Sequence, residues 1–86
     1  MTQSIDPGLL KRMYGSGIHL YTAGVLHEGW WIVPVDWGGG SYTVSCFDPR
    51  GTRYPNWQHY PSIEKAVAAG YKFVDHKILE LSLFQY

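Results

Sequence analysis

Apolar and polar positions change their period twice along the chain. Near the start, Leu9, Leu10 and Met13 share one face at helical spacing. Asp6 suits an N-cap, Pro7 suits the first helical position, and Gly15 can end the turn in a left-handed conformation. The pattern predicts a short helix over 5–14. From residue 18 the period drops to two. Ile18 and Leu20 alternate with His19 and Tyr21, and Gly24 then interrupts, so a strand with a bend or bulge is expected over 18–26.

Trp30 to Trp37 reads Trp-Trp-Ile-Val-Pro-Val-Asp-Trp and is the clearest strand, dense in aromatic and β-branched side chains. Pro34 has no N–H to give a ladder, so its amide position must face an edge or a bulge. From Ser41 to Asp48 the alternation is strict, with Tyr42, Val44 and Cys46 on one face and Thr43, Ser45 and Phe47 on the other. Gly38-Gly39-Gly40 joins these two strands as a hairpin turn. A phosphate-binding loop would instead continue into Lys-Ser/Thr and a helix.

Asp48-Pro49-Arg50-Gly51 has a turn residue at each position that a type I turn favours, and Gly51 is expected to carry a positive φ. A further strand, about Thr52 to Tyr60, returns from it, and Pro55 again marks an edge or a break. The sheet is therefore an antiparallel meander of three or four strands over 18–60.

From residue 62 the period becomes helical. Ser62 is the N-cap candidate, and Glu64 sits where the helix dipole favours an acid. Ile63, Val67, Gly70, Val74, Ile78 and Leu81 recur at spacings of three and four, flanked by Ala66, Tyr71 and Phe73, which predicts a helix over 62–83. Gly70 on that stripe costs about 1 kcal/mol relative to Ala. The compensating gain is close approach of the helix to the sheet. One sheet face must be covered, so the fold class is a two-layer α+β domain: the meander packed on the long C-terminal helix, with the short N-terminal helix beside it.

Composition bounds what this domain can do. With 86 residues it is one domain near the lower size limit for unaided folding. Hydrophobic residues make up 45% and charged residues 16%, and seven Lys+Arg balance seven Asp+Glu. A disordered tail, a collagen-like chain and a polybasic nucleic-acid arm are excluded. The lone Cys46 cannot form a disulfide within the chain, which points to a reducing compartment. No apolar run has the length of a signal peptide or a membrane span, so a cytoplasmic protein without membrane attachment is expected.

Candidate chemistry is sparse. His19, His27, His59 and His76 show no metal-ligand spacing, and the alternation of Cys46 with Val44 makes it a buried strand residue. Asp75 and His76 are adjacent on a helix and point apart. No catalytic residue, metal or cofactor is expected, and the domain reads as a non-enzyme. The aromatics say more. Trp30 and Trp31 must point to opposite faces, so one lies away from the helix. Trp30, Trp31, Trp37, Trp57 and Tyr60 form the candidate partner-binding set. Leu79 and Leu83 lie nearly opposite the helix stripe, and with Leu81, Phe84 and Tyr86 they make the helix end apolar all round. Leu79, Leu83, Phe84 and Tyr86 are therefore the candidate self-association surface of a homodimer, unless the 5–14 helix covers them. The expected function is a small protein-interaction module, binding a protein partner or itself.

The stretch Gly29 to Ile78 is a β-β-β-α module. Its Trp-rich first hairpin, its Asp48-Pro49-Arg50-Gly51 turn and its Glu64-Lys65-Ala66-Val67 helix start resemble the AP2/ERF-type DNA-binding domain. The chain is similar in style to small uncharacterised bacterial α+β proteins, cyanobacterial ones among them. The first resemblance implies a sheet laid into the major groove, with Arg50 and Arg53 as nucleic-acid contacts beside Trp37 and Trp57. Between Glu28 and Tyr60, however, Glu28, Asp36 and Asp48 face only Arg50 and Arg53. Such a sheet cannot neutralise many phosphates, which argues against nucleic acid as the main partner.

Overall fold

The computed structural model describes residues 17–83. The expected 5–14 helix, Phe84 and Tyr86 lie outside them. The described chain is α+β. It runs β1 (Ile18–His19), a 3-10 turn (Tyr21–Ala23), β2 (Val25–His27), β3 (Trp30–Asp36), β4 (Tyr42–Phe47), β5 (Arg53–Tyr60) and one helix, α1 (Ile63–Leu83). All strand pairs are antiparallel, in the order β1-β3-β4-β5, and β2 pairs with the same edge of β3 as β1 does.

The predicted strand over 18–26 is thus two short strands in one line, and Pro34 explains the gap between them. Leu20 N–H donates to Pro34 O at 2.9 Å, but Pro34 has no N–H to return to Leu20 O. That oxygen instead accepts the Ala23 N–H at 3.0 Å, which opens the 3-10 turn, and the chain rejoins β3 at Val25. Glu28 and Gly29, both at positive φ, then form a two-residue loop between His27 and Trp30.

Bond directions alternate along an antiparallel strand. Since Pro34 points to the β1/β2 edge, Val33 and Val35 point to β4, Val44 and Cys46 point to β5, and Pro55 points outward from β5. Pro55 therefore sits where the sheet's own ladder needs no donor, whereas the donor missing at Pro34 falls at the gap between β1 and β2.

The turn at Asp48 to Gly51 is built largely by one carboxylate. Gly51 N–H donates to Asp48 O at 2.8 Å, and Asp48 N–H donates to Thr52 O. Asp48 Oδ1 accepts the Arg50 and Thr52 N–H groups at 2.9 Å each, and Oδ2 accepts the Tyr54 hydroxyl at 3.3 Å. Gly51 has φ +90° with open space around a would-be Cβ, so any penalty there is conformational rather than steric crowding by neighbours. Gly51→Val is expected to cost about 1–3 kcal/mol. At about 4–8 °C per kcal/mol for a domain this size, the melting temperature should fall by roughly 10 °C. A thermal melt showing no change would remove the left-handed residue from the turn.

Ser62 caps α1, its Oγ accepting the Lys65 N–H at 3.1 Å. The buried line of the helix is Ala66, Gly70 and Val74, with Val67, Tyr71, Phe73 and Ile78 packed around it. They meet Trp30, Ile32, Val44 and Cys46 from the sheet. Leu81, expected on the packed stripe, is instead half exposed. The reason is length: 21 residues of helix span about 31 Å, whereas a six-residue strand such as β4 spans about 20 Å. The helix outruns the sheet, and Leu81 faces only a cleft of about 400 Å³ beside Trp30, Tyr54, Pro49 and Arg50.

Candidate functional site

The side chains suited to meeting a partner fall in two places, and the strand pleat assigns each. Even-numbered β3 residues point to the helix and odd-numbered ones to the opposite, far face. Trp30 is therefore core, 3% exposed, with its ring against Tyr54 and Phe73 at 5.3 and 6.3 Å. Trp31 points the other way and is 36% exposed. Its ring lies over Gly24, and its cross-strand partner is the exposed Leu26. Tyr21, on the 3-10 turn of the same edge, is also exposed and stacks on His19 at 5.7 Å.

The opposite corner of the far face carries Trp57. The β4–β5 register moves by two residues between Val44↔Asn56 and Tyr42↔Tyr60, so β5 bulges at Trp57, Gln58 and His59. Asn56 Oδ1 accepts the Gln58 N–H at 2.9 Å and shapes the bulge. Trp57 and His59 both lie against the ring of Trp37 at 6.1 Å. Trp37 is buried and donates its Nε1–H to Thr43 Oγ1 at 2.8 Å. His59 Nδ1 is hydrogen-bonded to Ser41 Oγ. Trp57 itself remains 59% exposed on this base.

Of the five expected partner-binding residues, then, Trp31 and Trp57 are on the surface and lie at different corners of one face. Trp30 and Trp37 are buried, because their rings fill the two sides of the sheet. Tyr60 is half buried on the helix side, its hydroxyl accepting from Asn56 Nδ2 at 3.4 Å. Sequence reasoning missed Leu26 and Tyr21. Alternation around Gly24 offered no register to place them, since the 3-10 turn resets it.

The second place is the outer side of the last turns of α1. Leu79 and Leu83 are 59% and 69% exposed. Upstream on the same helix side, His27 Nε2 meets Asp75 Oδ1 at 2.7 Å and the His27 ring packs edge-on against Tyr71 at 4.6 Å. Lys77 and His76 both pair with Glu80.

Reactive groups are poorly placed for chemistry. Burial pushes the Cys46 thiol up to about 11, so little thiolate forms at neutral pH. Ser45 Oγ touches His19 Nε2, and Ser45 is buried. Arg53, an expected nucleic-acid contact, donates its Nε–H to the same Ser45 oxygen, while Arg50 is exposed on the turn. Among the described residues no group of three or more His, Cys, Asp or Glu side chains could hold a metal ion, and no helix is long and apolar enough to cross a membrane. No family model matches the chain, and neither does any curated protein or solved structure.

Proposed function

We propose that the domain is a non-enzymatic interaction module that works through apolar and aromatic surface and associates with itself. The observation that carries this reading is the outer side of the last turns of α1. Leu79 and Leu83 stand four residues apart on one side of the helix, exposed and turned away from the buried line Ala66, Gly70 and Val74. A two-fold dimer that uses the same patch on both chains is the simplest closed way to bury such a surface. Trp57 supports a second contact, with a protein partner. An indole already fixed by Trp37 and the bulge loses little freedom on binding, a property of interface anchors. The high ionisation range of Cys46 and the burial of Ser45 fit a module without covalent chemistry.

Light scattering tests this directly. The unaltered protein should be a dimer at ~100 μM, a concentration at which weak associations register. Leu79→Glu with Leu83→Glu should give a folded monomer, because both substitutions lie on exposed positions. An unaltered protein that is monomeric at that concentration would overturn self-association. Submicromolar binding to duplex DNA at physiological salt would overturn the protein-interaction reading as a whole.

A further inference from the structure

The edge segment Ile18–Ala23 is attached to the sheet by few backbone bonds. β1 is two residues long, and Pro34 cannot reciprocate the bond from Leu20. A side chain supplies the additional hold. His19 reaches across the far face from β1, and its Nε2 meets Ser45 Oγ on β4 at 3.3 Å. Arg53, from β5, donates its Nε–H to that same oxygen at 3.3 Å. Residues of three strands thus converge on one buried hydroxyl.

The cluster is satisfied when the imidazole is neutral. Arg53 then donates to Ser45 Oγ, and the serine hydroxyl donates to His19 Nε2. A proton on Nε2 turns that acceptor into a donor. The buried serine O–H loses its partner, and a second positive charge stands beside the guanidinium. Among the described residues, the groups facing the imidazole are Ser45 and Phe47 of β4, Arg53 of β5 and Tyr21 of the 3-10 turn. Among the described residues His19 has no carboxylate partner to offset the added charge.

We propose that His19 is a proton-operated latch: its protonation loosens Ile18–Ala23 from the sheet and unsettles the corner where Tyr21, Leu26 and Trp31 are exposed. The sign follows from the two states. Burial, and after it the charge of Arg53, hold the attached imidazole below its ordinary 6.5. The attached state therefore binds fewer protons than the released one. Attachment is at full strength above about pH 6.5 and weakens as the pH falls through the lowered value.

Hydrogen exchange of the Leu20 amide, corrected for intrinsic rates, reads the latch directly, since that N–H donates to Pro34 O. Each pKa unit by which His19 is held down changes the opening equilibrium tenfold. Protection at Leu20 should fall between pH 7.5 and pH 5, while the Val44 amide of the central strand β4 keeps its protection. His19→Gln should abolish the pH dependence. Arg53→Gln should shrink it, because the imidazole then returns toward its ordinary value. His27→Gln, which alters the neighbouring strand's pairing with Asp75, should leave it intact. Equal protection at both pH values overturns the latch, as does acid loss that survives His19→Gln or disappears with His27→Gln. Should the His19 variant already be open at neutral pH, an undiminished acid response in Arg53→Gln overturns it instead.

Discussion

Gly70→Val is expected to leave the domain without a cooperative thermal transition above room temperature, and Gly70→Ala to lower its melting temperature by about 10 °C. A Cβ at this position would overlap Ile32 Cγ2 and stand 3.1 Å from Val44 Cγ2 and 3.6 Å from Cys46 Sγ. All three belong to the buried centre of the sheet. Alanine regains about 1 kcal/mol of helix propensity. That gain is outweighed by overpacking, which costs roughly 1–3 kcal/mol when one methyl is forced into a filled core. Valine adds two further methyl groups at the same contact, against a total stability of about 4–13 kcal/mol for a chain of this size. Circular dichroism melts of the two variants check the order. Ile32→Leu removes the branch methyl in the way, so Gly70→Ala with Ile32→Leu should be less destabilised than the two single changes summed. Strict additivity in that cycle would place the helix farther from the sheet than described.

Replacing two neighbouring tryptophans by alanine should give opposite outcomes. Trp30→Ala empties a site bounded by Tyr54 and Phe73 in the core, and truncations of this kind cost about 3–5 kcal/mol. Against a total of about 4–13 kcal/mol that is a large share of the stability. Trp31→Ala removes a ring that lies over Gly24 at an exposed corner, and should cost no more than roughly 1 kcal/mol. Urea unfolding of the two variants separates them. Equal losses would contradict the pleat that sends one ring to the helix and the other away from it.

The alternation of β3 and β4 is why this contrast was legible from sequence, since a period of two assigns faces without knowledge of neighbours. The same holds for local signals. Ser62 caps the helix through a bond three residues away, Gly51 answers a turn four residues long, and Gly70 marks close approach because nothing else excuses a glycine mid-helix. Long-range features were less visible. That Pro34 must face an edge or bulge followed from its missing N–H, but the 3-10 turn opposite it depends on which strand arrives there. The bulge at Trp57 exists only relative to β4, and Leu81 is exposed only because the helix exceeds the strands in length. The meeting of His19, Ser45 and Arg53 joins residues far apart in sequence through side-chain reach, for which no spacing rule exists. Of the candidate site, alternation divided Trp30 from Trp31, while the depth of Trp37 required the bulge that folds Trp57 and His59 onto it.

The placement of the two prolines has a consequence for how copies of this chain avoid one another. A protein with no net charge lacks the general repulsion that keeps many small domains apart. An open β-strand would then be a template onto which another chain could add, and repeated addition grows fibrils. Here the outer border of β5 misses a donor at Pro55, and its bulge bends the far end out of line. The opposite border is broken beside Pro34, into pieces of two and three residues. Among the described residues, neither border presents the long straight row of alternating donors and acceptors that amyloid growth requires. The self-association proposed above would thereby run through side chains, where it can stop at a closed number of subunits.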